Sequence, residues 1–161
     1  MELEDLFTGC ALSAVDAKGR LSVPSSIRAV IERRSDAKAV VIGAHETAPC
    51  LNAYDRGYGR FLYTENERRR LAEEAAGGDL AAHHVRARRT FGPTEDVPYD
   101  PSGRIILPQM MRRRGRIEDL ALFVGIGGTF EIWNPYLAIE SGDDELRELA
   151  AYRLEEKGIA L

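Results

Sequence analysis

The chain has 161 residues, 44% of them hydrophobic and 30% charged, with a formal net charge of −4, a composition that reads as soluble and globular. No apolar run approaches the ~20 residues a membrane span needs, and the opening "MELEDLF" is acidic where a secretory signal is basic and then apolar. A cytoplasmic protein with no membrane partner is therefore expected, with Cys10 and Cys50 reduced rather than bridged.

The first local signal is "DAKGRLSVP", residues 16–24. Asp at the first place and Gly at the fourth suit a type I turn. "RLSV" then reads as a short strand that puts Leu21 and Val23 on one face. Pro24 ends that strand and suits the first turn of a helix, which "SSIRAVIERR" continues. "AVVIG" (39–43) and "LNAY" (51–54) read as two further strands joined by a turn. The composition then changes. Phe61, Leu62, Leu71 and Ala75 fit one helical face, broken at Gly77-Gly78, and Leu80 to Phe91 reads as a second helix stopped before Pro93.

After this insert the first phrase returns. "DPSGRIILP" (100–108) repeats Asp, Gly, Arg and Pro in register at a constant offset of 84 residues (100 − 16), and Arg28 is answered by Arg112. "ALFVG" (121–125) and "FEIW" (130–133) echo the two later strands. A repeat of this kind decides architecture before any single motif does. Each copy is a mostly β unit of about 45 residues, too small to bury a stable core alone, so two copies are expected to share one core across a pseudo-twofold axis. A last helix is expected in "DDELRELAAYRLEEKG", with Leu146, Leu149, Ala150 and Leu154 on one side and Gly158 as its stop. Leu62, Leu71, Leu149 and Leu154 lie on helices that a small shared β core need not use internally, and this predicts a homo-oligomer.

The charge is unevenly placed. Residues 140–157 hold seven acids and three bases (3 − 7 = −4), so residues 1–139 sum to zero. Residues 100–116 hold five arginines against Asp100 (5 − 1 = +4), and Arg86, Arg88 and Arg89 add a second basic stretch. Phosphate binding depends on where cations sit rather than on the total. Backbone geometry accounts for the recurring Asp, Gly and Pro. Nothing in turn or strand chemistry requires Arg20 and Arg104, yet arginine stands there twice, and a guanidinium can reach phosphate or pair bidentately with guanine.

Enzyme signals are weak. His83 and His84 point about 100° apart on a helix, and a shared metal asks for an i, i+4 pair. "HETAP" (45–49) starts like a zinc-protease motif but has Pro49 in place of the second His. "GIGG" (125–128) is better explained by a tight hairpin than by a phosphate loop. No nucleophile has a recognisable base, and no catalytic residue, cofactor or metal is expected.

The duplicated "DxxGR(L/I)xxP" phrase, with "LFTGCALSAVDAKGRLSVPSSIR", "FGPTEDVPYDPSGRIILP" and "ALFVGIGGTFEIWNP", resembles the MraZ family of bacterial transcriptional regulators, built from two SpoVT/AbrB-type domains. The resemblance implies an α+β fold, mainly β, with a duplicated AbrB-type swapped-hairpin β-barrel. It divides the chain into a first repeat at 9–57, a helical insert at 58–93, a second repeat at 94–138 and an acidic C-terminal helix at 139–161. It further implies a ring-forming homo-oligomer, cytoplasmic and nucleoid-associated. Such a protein binds tandem repeats in double-stranded promoter DNA and represses the operon for division and cell-wall synthesis. Carried over, the DNA-facing residues are Asp16, Lys18 and Arg20 in the first copy and Asp100 and Arg104 in the second, with Arg28 and Arg112 as further candidates. Pro101 and Ser102 leave the second motif without a counterpart to Lys18, so unequal contributions are expected. The alternative reading is an oligomeric interaction scaffold that does not bind DNA.

Overall fold

The computed structural model describes residues 2–160. A short 3-10 turn at Leu3–Asp5 precedes β1 (Cys10–Ala14), and the Asp16 turn reverses the chain into β2 (Arg20–Ser22). Pro24 caps α1 (Ser25–Arg34), followed by the hairpin strands β3 (Ala39–Ala44) and β4 (Leu51–Tyr54). Two helices make the insert, α2 (Arg56–Ala75) and α3 (Leu80–Phe91). The second pass repeats the order with β5 (Glu95–Pro98), β6 (Arg104–Ile106), α4 (Gln109–Gly115), β7 (Leu120–Gly125) and β8 (Phe130–Trp133). It ends in α5 (Pro135–Ser141) and α6 (Asp144–Glu156). The fold is mixed α and β.

Beyond the short 3-10 turn, two strands and one α-helix were not anticipated, and each has a physical reason. "CALSA" and "EDVP" lack the β-branched and aromatic content that marks strands. They are strands because β1 pairs with β7 (Cys10↔Val124 to Ala14↔Leu120) and β5 with β3 (Ala39↔Pro98 to Ile42↔Glu95). The short α5 carried a legible signal in "NP": Asn134 accepts from the Tyr136 and Leu137 amides at 2.9 and 3.3 Å, and Pro135 opens the helix.

The strands form a six-stranded antiparallel sheet in the order β1-β7-β8-β4-β3-β5, and a separate two-stranded ribbon of β2 and β6. Replacing each strand by its counterpart in the other copy reverses the six-strand order onto itself. The two copies therefore exchange their first strands, and β4 and β8 meet on the pseudo-twofold axis with Asn52 opposite Glu131. Strand pairing does not close the expected barrel, because β1 and β5 remain the sheet edges and β2 and β6 pair only with each other. The offset between copies also drifts, from 84 at β2/β6 (104 − 20) to 81 at β3/β7 (120 − 39) and 79 at β4/β8 (130 − 51). The first loss is the shortening of α4, seven residues against ten in α1. The second is the tighter β7–β8 turn.

One face of the sheet and the inner side of the ribbon share the main core. Leu21, Val23, Ile105 and Leu107 are all buried there with Ile31, Met111, Phe123 and Ile132, so the expected inward face of each ribbon strand is the one observed. A buried ion pair ties the ends together. Arg34 Nε lies 3.1 Å from Oδ1 of Asp55, which caps α2, while Arg34 Nη1 donates to the Gly128 carbonyl at 3.0 Å. On the other face α6 lies against β1 and α5 against β7, while α2 and α3 lie against β3.

The helix faces expected to await another subunit divide in two. Leu154 is fully buried and Leu149 packs against the second core cluster with Trp133, so α6 uses its apolar side within its own chain. On α2, Leu71 is more than half exposed, as are its neighbours Phe61 and Tyr63, whereas Leu62 is half-buried. No helix among the described residues is long and apolar enough to cross a membrane.

Candidate nucleic-acid interface

Pairing of β2 with β6 sets Leu21 opposite Ile105, Arg20 opposite Ile106 and Ser22 opposite Arg104. With Leu21 and Ile105 facing the core, alternation turns Arg20, Ser22, Arg104 and Ile106 outward, and all four are exposed. Arg20 and Arg104, 84 residues apart in sequence, thus become diagonal neighbours on one ribbon face. That relation sets the two residues roughly 7–8 Å apart, with their Cβ atoms somewhat closer. Together with Asp100 and Ile106 they line a groove of about 410 Å³.

The two turns are built alike. Asp16 Oδ1 accepts from the Lys18 and Arg20 amides, both at 2.9 Å, and Oδ2 accepts from Arg20 Nε at 2.7 Å. Asp100 Oδ1 accepts from the Ser102 and Arg104 amides, again at 2.9 Å, and Oδ2 from Arg104 Nε at 3.1 Å. Gly19 and Gly103 both have φ +84°, a left-handed conformation that completes a type I turn with a bulge and favours glycine. Both carboxyls are held below the usual 3.8, first by the amide of the following arginine and also by its guanidinium. The clamp spends only Nε of each arginine. The terminal nitrogens of Arg20 and Arg104 make no hydrogen bond among the described residues and face outward from a fixed stem. Lys18 is exposed at the tip of the first turn, where the second has Ser102.

Arg28 and Arg112 are placed differently. Each crosses to the other copy's turn. Arg28 packs under Gly103, and Arg112 Cδ is 3.4 Å from where a Cβ on Gly19 would stand. Arg28 Nε donates to the Val23 carbonyl at 3.1 Å, and Arg112 Nη2 to the Glu118 carbonyl at 3.1 Å. Both are half-buried supports beneath the turns. Sequence reasoning named the arginines of the outward face but missed Ser22 and Ile106, although strand alternation alone was enough to find them.

A possible metal set is the group His45, Cys50 and Glu131, whose ligand atoms lie within 4.8 Å of one another. Its hydrogen bonds do not suit a metal. His45 Nδ1 accepts from the Thr47 and Ala48 amides at 3.1 and 3.0 Å, so the ring proton is on Nε2, 2.8 Å from Glu131 Oε2. Burial, reinforced by the Glu131 charge, pushes the Cys50 thiol far above its ordinary range, so it is protonated as it stands in this group. The group is a hydrogen-bonded tie between the β3–β4 loop and β8.

Fold and surface together define a duplicated α+β protein with an arginine-bearing ribbon and, among the described residues, no assembled catalytic group. The transcriptional regulator MraZ of Rhodospirillum rubrum is 31% identical over 129 residues, covering 80% of this chain and 79% of its own length. That of Gluconobacter oxydans is 30% identical (84% and 79%), and that of Coxiella burnetii is 31% identical (90% and 99%). Scanned against models of protein families, the chain matches none. The chain belongs to the MraZ family of transcriptional regulators, a non-enzymatic family.

Proposed function

We propose that the chain is a sequence-specific DNA-binding regulator that represses its own division and cell-wall operon through tandem promoter repeats. On this reading each half is a SpoVT/AbrB-type repeat, and the protein works on the nucleoid as a homo-oligomeric ring. The observation that carries the reading is the outward ribbon face. A two-stranded ribbon fits the major groove. Arg20 and Arg104 stand on this one with stems fixed by Asp16 and Asp100 and free terminal nitrogens, a geometry suited to bidentate recognition of guanine at low ordering cost. Ile106, opposite Arg20 and two residues along the strand from Arg104, offers an apolar contact of the kind a thymine methyl accepts. Lys18 adds a phosphate contact on the first side only. The exposed Phe61, Tyr63 and Leu71 of α2 favour assembly.

The test is a gel shift with the chain's own upstream promoter. A probe carrying several repeats should bind more tightly, and with a steeper salt dependence, than a probe carrying one. Inserting about half a helical turn (~5 bp) between repeats should abolish the gain, because sites one turn apart share a face of the duplex. Indifference to repeat number and to the insertion would reject the mechanism, and absence of any shift would favour the scaffold reading.

A further inference from the structure

We infer that the arginines at the end of α4 form a phosphate-backbone contact beside the first turn, so that each subunit's DNA footprint is extended on one side of the ribbon. The inference rests on the DNA-binding reading above and names a second surface for it. A cleft of about 780 Å³ runs from Asp16 and Ala17 to the end of α4, where Arg112, Arg113 and Arg116 line it. Arg113, Arg114 and Arg116 are exposed and, among the described residues, have no acid within ion-pair distance. Asp16, Glu118 and Asp119 also line the cleft; Asp16 pairs with Arg20, and among the described residues none of the three lies within ion-pair distance of Arg113, Arg114 or Arg116.

The other copy lacks this surface. At the offset of 84, Arg113, Arg114 and Arg116 correspond to Ala29, Val30 and Glu32 of α1. Nearby cations in that half are neutralised: Arg33 by Glu4 and Asp5, Lys38 by Glu32. Because α4 lies beneath the first-copy turn through Arg112 and Gly19, the free cations and Lys18 fall on the same side of the molecule.

Arg116 supplies an independent sign that the side chain is wanted there. It is the one non-glycine with positive φ among the described residues, at +53°. It occupies the left-handed position closing α4, where the Ile117 amide reaches back to the Arg112 carbonyl at 2.9 Å, a position that favours glycine or asparagine. A free arginine held where glycine would fit better suits a binding role. A phosphate strand is the occupant of choice because these guanidiniums flank a turn that already carries Lys18.

The test compares wild type with an Arg113→Ala, Arg116→Gly double variant; the second change restores the residue the backbone prefers, so folding is preserved. Affinity is measured by fluorescence anisotropy over a salt series, on promoter DNA and on unrelated duplex, with native mass recorded for both proteins. The expected result is a loss of similar fold on both probes, since phosphate contacts carry no sequence information, and a log–log salt slope shallower by roughly 2 per engaged subunit. Mass should be unchanged. Unaltered affinity and slope would overturn the inference while leaving the ribbon reading intact. A fall in mass together with affinity would overturn it in favour of a contact with a neighbouring copy. Failure of wild type itself to bind promoter DNA would overturn the ribbon reading and this inference with it.

Discussion

At Asp16–Arg20 and at Asp100–Arg104 the same three hydrogen bonds close on one carboxylate, the same glycine stands at φ +84°, and a buried aliphatic residue follows the arginine. Their surroundings have diverged. The first turn carries Lys18 and is flanked by Arg113 and Arg116, which have no ion-pair partner among the described residues; the second carries Pro101 and Ser102, and the α1 residues at the corresponding positions are Ala29 and Glu32. Burial near Glu32 also pushes the Tyr99 hydroxyl beside the second turn up to about 12. Duplication thus preserved what the backbone requires, and left side chains free wherever only solvent or a ligand met them.

The core beneath the ribbon should be the most symmetric part of the molecule. Leu21 and Ile105 face each other and are each 2% exposed, so Leu21→Ala and Ile105→Ala should each cost about 2–5 kcal/mol. The double variant should lose less than the sum because the two share one cavity. Urea unfolding at fixed protein concentration checks this, and a large inequality between the single variants would break the equivalence of the halves.

Recognition should be less symmetric. Arg20→Ala is expected to cost ~1–3 kcal/mol of DNA binding per engaged subunit, and Arg104→Ala less, because only Arg20 has Lys18 and the α4 arginines beside it. Anisotropy on a tandem-repeat probe reads the difference. Equal and negligible losses in two folded variants would remove both turns from the binding surface.

The two helix ends should respond in opposite directions to glycine. Arg116→Gly relieves a left-handed arginine and should stabilise the fold by roughly 1 kcal/mol. Glu32→Gly, its counterpart inside α1, should destabilise it by roughly 1 kcal/mol. Thermal melts of the two variants decide the matter; a loss at both positions would mean that Arg116 contributes a contact within the fold.

The smallest effect is one of acid. Asp16 and Asp100 titrate below their unfolded value of 3.8 in the folded chain. Their stabilisation is therefore complete above that value and is lost as the pH falls past the lower folded one. Carboxyl NMR titrations should place both below 3.8. Asp16→Asn and Asp100→Asn, which keep the amide-accepting oxygen, should each flatten part of the acid limb of the stability curve.

The turns, the six predicted strands and the break at Gly77-Gly78 were legible because each follows from local chemistry: turn residues at fixed offsets, branched residues in short runs, glycine where a helix stops. The edge strands β1 and β5 were not, because "CALSA" and "EDVP" become strands only by pairing with the other copy. The ion pair of Arg34 with Asp55 was invisible because the two lie 21 residues apart and meet only once the end of α1 and the start of α2 are folded side by side. Leu149 and Leu154 were read as surplus to the chain and turned out to pack on its own sheet.

From its own order of residues, then, this chain determined that it is duplicated, where each copy turns, and which arginines recur without a backbone reason. Tertiary structure alone decided that the copies exchange their first strands, that Arg20 and Arg104 come to share one ribbon face, and that α4 lies under the first turn rather than its own. The division has one cause. Turn geometry and strand alternation act within a few residues, whereas strand partners are chosen by the apolar surface they bury together, and that surface exists only once both copies are present.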